Sequence, residues 1–414
     1  MAPMSGLEAA GGSVLGAAGE EEARDTAALL EGVLPRELRP LFDASFVRSH
    51  FLYEQFVHRL VLQVVRETGL EDALRDEGST EDIALRAKLA AAPALVPLDW
   101  ILRSLAARGL LAEPAGQGRG RYRALGPLPV LDPGAVREEQ LRSAPTWMAS
   151  YVLAETVARD YPAFLRGEVA GEDVLFSAKR LRLWIDYFSN DNGLYAVNNR
   201  VGAIAADAWL PPSGGIILEL GGGLGSGALA LLERLETAGR LGEIAGYRFT
   251  EFVPAFLRRG EQAVQTRYPA LSALSAATLD MNRPFAEQGV ERGSVALVYA
   301  VNTLHVAQDL EFTLGEIFQA LAPGGRLVVS ECVRPRPRQP IEAEFVFNLT
   351  ETFRSPRLHP LYRPSGGFLT PEQWRGAMEA AGFVETRFLP DIPSLRDKAP
   401  RFVVAAVGAT RPGG

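Results

Sequence analysis

Cysteine is almost absent. The chain of 414 residues holds one, Cys332. A single thiol excludes any internal disulfide and any cysteine-rich zinc site. The lack of a disulfide framework fits a reducing compartment, so a cytoplasmic location is expected. Histidine is nearly as scarce, and His50, His58, His305 and His359 are the full set. No clustered His, Asp or Glu spacing reads as a ligand set, so no metal is expected. Long hydrophobic runs are missing too. Nothing approaches the ~18 apolar residues of a membrane span. Met1 to Glu20 is Ala- and Gly-rich, with neither the early cation nor the apolar core of a secretion signal. Positive charge is in deficit: 43 Lys and Arg stand against 50 Asp and Glu, a net charge of −7. Such a chain has no electrostatic drive toward nucleic acid or an anionic membrane, and neither partner is expected.

What is present reads as a folded protein. Apolar residues make up 47% and charged residues 22%, and the length suits two or three domains. Residues 1–25, ending in the acidic Glu20, Glu21 and Glu22, read as a disordered tail. Residues 26–130 read as helices followed by a hairpin. Phe51, Phe56, Leu60, Val61 and Val64 recur at helical spacing, Ser79 and Asp82 form a capping box, and a helix from Pro97 to Arg108 ends at Gly109. Leu110–Leu111, a turn through Gly116, Gly118 and Gly120, then Tyr122 complete a winged-helix pattern. Its would-be recognition helix offers only Arg103 and Arg108 as cations, which argues for packing and dimerisation rather than groove reading. Residues 131–210 form a second helical stretch, a linker or lid. Its Tyr195, Asn198 and Asn199 either line a cleft or belong to an ordinary capped helix pair.

After Pro211–Pro212 the period changes. Short apolar runs (Ile216–Leu220, Tyr247–Thr250, Ser294–Val301, Arg326–Cys332, Arg401–Val407) alternate with helical patterns, which means βαβ units and a doubly wound α/β sheet. The first run leads into Glu219-Leu-Gly221-Gly-Gly223-Leu-Gly225 at the head of a helix. There glycines let backbone approach a ligand, and unpaired N–H groups favour negative charge. The loop also satisfies a relaxed dinucleotide fingerprint, so an NAD-dependent oxidoreductase is one alternative. Downstream, Glu251 ends the second strand, where a carboxylate can accept from a ribose diol. Asp280–Met281 follows a further expected strand, the third in chain order, a carboxylate and an apolar side chain suited to the edge and face of adenine.

Together with Tyr247-Arg-Phe-Thr-Glu251-Phe252, Asn302-Thr-Leu-His305, Leu321-Ala-Pro-Gly324-Gly325 through Glu331, and Leu369-Thr-Pro-Glu-Gln-Trp374 through Phe383, these segments resemble class I S-adenosylmethionine-dependent methyltransferases. The likeness covers about residues 195–414 and is nearest to polyketide-synthase C-methyltransferase domains and related O-methyltransferases. It implies a Rossmann-like seven-stranded sheet in residues 211–414, with an N-terminal domain similar to the winged-helix dimerisation domain of small-molecule O-methyltransferases. A homodimer is expected on that ground. The implied cofactor is S-adenosylmethionine, leaving as S-adenosylhomocysteine, held by Glu219, Gly221, Gly223, Gly225, Glu251, Phe252, Asp280, Met281 and Asn302. Two positions depart from the pattern: Glu251 stands where Asp is commoner, and Ala296 where Asp is common.

His305 follows the strand Ser294–Val301, and Glu331 ends the next one. In the implied strand order these strands are neighbours about 4.8 Å apart, so the two side chains can touch. A carboxylate beside an imidazole fixes its tautomer and raises its basicity, as a general base requires. The resemblance assigns that catalytic dyad to His305 and Glu331. An insertion at 333–370 sits where such folds carry a substrate cap. Its Phe345, Phe347, Phe353, Tyr362 and Phe368 either line a pocket or pack the cap, and His359 is a further candidate at the substrate. Arg334, Arg336 and Arg338 read as a solvated loop, or as a grip on phosphopantetheine. The expected activity is methyl transfer to a hydroxyl or enol oxygen, or to an activated carbon, of a small or carrier-bound acyl compound. A regulator that senses S-adenosylmethionine and reads DNA is the other alternative.

Overall fold

The computed structural model describes residues 13–113, 120–212, 214–271 and 273–413. Two apolar cores share them, and one helix joins the two. Ala44–Glu67 starts at an Asp43 cap and runs 24 residues. Its Val47 and Phe51 belong to the core around the large sheet, whereas Leu52 to Val65 belong to a helical core. That second core also takes Tyr151, Tyr161 and Trp184 from residues 131–188, so the helical stretch is not a separate linker. The tail is shorter than expected. A helix runs from Gly16 to Val33 and buries Ala23, Ala27 and Leu30 at helical spacing. Small alanines, rather than an apolar run, carry that face. Glu20 pairs with Arg48 and Glu22 with Arg401, so two of the three tail acids bind the folded body.

The N-terminal helical region keeps the helix, helix, hairpin order. The Ser79 capping box heads the helix Thr80–Arg86. The next helix begins at Ala91 rather than Pro97, with the proline inside it. Strands β1 (Gly78–Ser79), β2 (Leu111–Ala112) and β3 (Arg121–Ala124) form an antiparallel sheet in the order β1-β3-β2. Gly116 and Gly118 of the expected turn lie outside the described residues. The would-be recognition helix packs one face against the cap insertion. Trp100 is 2% exposed and its Nε1 donates to the Ile341 carbonyl of the cap insertion. Arg103 donates to the Arg338 carbonyl and Arg108 to the Glu54 carbonyl.

The large sheet consists of β4 (Gly215–Leu220), β5 (Ile244–Thr250), β6 (Leu274–Ala277), β7 (Val295–Val301), β8 (Leu321–Cys332), β9 (Val384–Leu389) and β10 (Val404–Thr410). Their order is β6-β5-β4-β7-β8-β10-β9. The first five run parallel, and β10 is antiparallel to both its neighbours. The central strands are buried along nearly their whole length, as parallel strands covered on both faces must be. The chain order reverses between β4 and β7. Ligands of open α/β sheets bind at such a switch point, beyond the strands' carboxyl ends. The helix Gly193–Trp209 packs on β8 and β10, so this unit starts before residue 211. Among the described residues, no helix is long and apolar enough to cross a membrane.

Candidate active site

Beyond β4 the chain turns through the glycine loop into the helix Ser226–Thr237. Two glycines there have different reasons. Gly221 has φ +61, and a Cβ on it would lie 2.5 Å from the Thr303 side chain. Its small size is a packing requirement. Gly223 has φ +56, yet a Cβ there would meet nothing within 4 Å. Its bare backbone faces open space, as a loop that admits a ligand should. The Gly223 N–H donates to Glu251 Oε2 at 2.9 Å, and Val253 N–H donates to Oε1 at 2.8 Å. Burial raises the Glu251 pKa, against these backbone donors. Each carboxylate oxygen keeps a lone pair for a hydroxyl.

The other cofactor candidates divide. Asp280 folds into a local turn, its Oδ1 accepting from Asn282 N–H at 2.9 Å, with half-buried Met281 beside it. Phe252 is 61% exposed, at the rim. Asn302 holds φ +50, and its Oδ1 accepts from Asn198 Nδ2 at 2.6 Å. Tyr195 lies beside them; burial and the nearby carboxylates of Glu219, Glu331 and Glu251 push its phenol well above the usual range. Its ring packs against Tyr187 and Phe188, with centroids 5.5 and 5.2 Å away. Glu219 does not face this cleft. Its carboxyl accepts from Tyr247 Oη at 2.9 Å, it is 1% exposed, and burial pushes it up to about 8. It is a strut between strands, not the cofactor contact expected. Asn199 is likewise withdrawn: fully buried, it donates to Asn190 Oδ1 at 2.8 Å, and Asn190 in turn holds the Ser226 carbonyl.

His305 and Glu331 meet as their strand ends require. Val301 is registered against Ser330, and Asn302 N–H donates to the Ser330 carbonyl at 2.8 Å. Four residues past β7, His305 Nδ1 lies 2.7 Å from Glu331 Oε2. Glu331 Oε1 accepts from the Thr303 N–H at 3.0 Å and the His305 N–H at 3.3 Å. His305 is 4% and Glu331 0% exposed. Nδ1 is thus committed to the carboxylate, while Nε2 has no hydrogen bond among the described residues. Phe347, Phe353 and Phe368 surround the ring, with centroids 6.4, 5.6 and 4.8 Å away.

The aromatic residues of the insertion divide between two places. Those three phenylalanines wall the imidazole, whereas Phe345 stacks on Tyr161 and packs the helical core. His359 and Tyr362 stack on each other at 3.7 Å, and Tyr362 Oη donates to Glu311 at 2.7 Å. The structure brings neither into hydrogen-bond contact with His305. It brings the next residue, Arg363, whose Nη2 donates to the His305 carbonyl at 2.6 Å. No sequence pattern marked Arg363; only its place in the insertion could have. The arginine run is a solvated loop only in part. Arg334 is buried against Glu344, whereas Arg336 and Arg338 are exposed and pair with Asp397 and with Asp99 and Tyr122.

Burial, with Glu331 adjacent, pushes the Cys332 thiol up to about 12. A thiol so raised is almost wholly protonated at pH 8. The folded protein should resist iodoacetamide while the urea-unfolded chain is fully modified, as mass spectrometry of this single-cysteine chain would read directly. Rapid alkylation of the folded form would contradict the burial.

No family model matches the chain. Highly reducing polyketide synthase 2 of Gibberella zeae is 28% identical over 254 residues, 59% of this chain and 9% of that protein. The chain thus corresponds to less than a tenth of that relative's length. The CurJ carbon methyltransferase structure is similar with a TM-score of 0.73 at 22% identity, over 94% of this chain and 99% of that one. The C-methyltransferase domain of the citrinin polyketide synthase gives 0.70 at 16%, over 98% and 100%. The trans-methyltransferase CalH, in complex with S-adenosylhomocysteine, gives 0.59 at 19%, over 87% and 90%. The chain has the fold of polyketide-synthase carbon methyltransferase domains over nearly its whole length.

Proposed function

We propose that this chain is an S-adenosylmethionine-dependent methyltransferase of polyketide-type biosynthesis. Its acceptor is the acidic α-carbon of a β-ketoacyl compound, free or carrier-bound. The buried 2.7 Å contact between His305 and Glu331, at the sheet edge that also carries the glycine loop, is the observation that carries the reading. The fold shared with carbon methyltransferases favours carbon over oxygen as acceptor.

The residues present fit the cofactor. Gly223 leaves room beside its backbone, and Glu251 offers oxygens to hydroxyls. Asp280, Met281 and Asn302 complete the set that would hold it. When bound, S-adenosylmethionine supplies a methyl group on a sulfonium sulfur, which keeps the bond's electron pair as the methyl leaves. The protein's part is positioning and proton removal. With Nδ1 held by Glu331, His305 Nε2 takes the α-proton, and Glu331 stabilises the imidazolium so formed. The phenylalanine wall keeps water from the carbanion and receives the acyl chain.

The test is incubation with S-adenosylmethionine carrying a 13C-methyl group and an acetoacetyl thioester. Label on the α-carbon is expected. Label on the enol oxygen would turn the reading to O-methylation, and no transfer to any β-ketoacyl thioester would remove the carbon acid as acceptor.

A further inference from the structure

Arg363 is a cation in an unusual position. It sits in the cap, 1% exposed, and its backbone N–H and carbonyl both pair with His359. Its only side-chain hydrogen bond among the described residues runs from Nη2 to a neutral carbonyl, that of His305. Nε and Nη1 are buried without a hydrogen-bond partner. A buried cation must be balanced by a nearby anion or it destabilises the fold. No ion pair reaches it among the described residues; the nearby anion is the fully buried Glu331, which accepts from the N–H of His305, the residue whose carbonyl Arg363 binds.

We propose that Arg363 sets the protonation state of the catalytic pair, balancing Glu331 so that His305 rests as the neutral, proton-accepting imidazole. This inference rests on the reading of His305 as the base. In a closed site, Glu331 alone would favour a proton on the imidazole it touches, and a base already protonated does no work. With the guanidinium present, neutral His305, ionised Glu331 and Arg363 sum to zero charge. A resting proton on His305 would then leave a net positive charge within the phenylalanine wall. Arg363 thus acts through His305 and Glu331 and need not touch substrate.

The other titratable groups facing the pair do not supply this balance. Cys332, next to Glu331 on β8, is pushed up to about 12 by burial and stays a neutral thiol. Tyr195, from the helix Gly193–Trp209, stays a neutral phenol, its pKa raised by burial and nearby carboxylates. Glu219 turns away from the pair to Tyr247, and burial pushes it up to about 8. Arg363 itself is pulled down by burial only to about 10, so it remains charged at neutral pH.

The test is an NMR titration of the histidine ring signals in the whole chain. Four histidines make the spectrum simple, and a His305→Gln variant assigns the signal. Arg363→Gln removes the charge and keeps a donor for the His305 carbonyl; Arg363→Lys keeps the charge. The titration midpoint of His305 should move up by about one pH unit, tenfold in proton affinity, in Arg363→Gln and should stay near the wild-type position in Arg363→Lys. An unchanged midpoint in the Gln variant would overturn the proposal. So would an equal shift in both variants, because then the geometry and not the charge matters. The readout needs no substrate, so the outcome is independent of whether His305 proves to be the base. If Arg363→Gln does not fold, the Lys variant and a Glu331→Gln titration still decide it. Loss of the carboxylate should then lower the His305 midpoint with Arg363 in place, and a midpoint that stays or rises would overturn the proposal.

Discussion

Replacing His305 by alanine should lower methyl transfer by about two to four orders of magnitude, the usual contribution of a positioned general base. Cofactor binding should be preserved. The contacts of His305 run to Glu331, Arg363 and the phenylalanines of the cap, whereas Gly223 and Glu251 belong to the β4 and β5 ends. The fold should survive as well, because Glu331 keeps the two backbone N–H donors of Thr303 and residue 305. Calorimetry with S-adenosylhomocysteine and a transfer assay on the same preparation separate the two effects. Full transfer activity in the alanine variant would end the base assignment. Loss of both binding and transfer would place His305 in the cofactor site instead.

The parts of this site that could be read in the sequence are those set by covalent spacing from a recognisable strand. His305 and Glu331 each follow a buried apolar run by a fixed number of residues, so the pairing of β7 with β8 brings them together. The helices Ser226–Thr237, Leu310–Ala320 and Pro371–Ala380 were legible from a buried apolar stripe, whereas Pro254–Arg267 buries only Gly260 and Val264. The two edge strands carry no such run; β6 was expected only from its place before Asp280, and β9 was not placed. β6 is Leu-Ser-Ala-Ala and β9 is Val-Glu-Thr-Arg-Phe-Leu, and neither is buried on both faces, so no continuous apolar run marks them.

Side-chain direction was the other thing hidden. Glu219 sits in the glycine-loop motif, yet its carboxyl turns to Tyr247. Asn199 is one residue from Asn198, and on a helix that is a turn of about 100°, enough to send it to Asn190 while Asn198 reaches Asn302. Arg363 escaped because it reaches His305 across 58 residues of chain and follows no periodicity.

Replacing Gly223 by aspartate should abolish cofactor binding and leave the fold standing. The added Cβ meets no protein atom within 4 Å, so nothing in the chain must move. The backbone at φ +56 is one that Asp tolerates better than most residues, at about 1–2 kcal/mol. The side chain would then occupy the open space beside the loop and set a second carboxylate near Glu251, which already binds the Gly223 N–H. Affinity for S-adenosylhomocysteine should fall at least about a hundredfold, close to 3 kcal/mol. Gly221→Ala is the informative contrast, since its Cβ would lie 2.5 Å from Thr303, whose N–H holds Glu331. That variant should lose thermal stability and disturb the dyad, whereas Gly223→Asp should melt within a few degrees of wild type. Undiminished binding in folded Gly223→Asp would mean that the cofactor lies elsewhere, because a Cβ on Gly221, Gly222 or Gly225 would instead meet Thr303, Phe249 or Gly260.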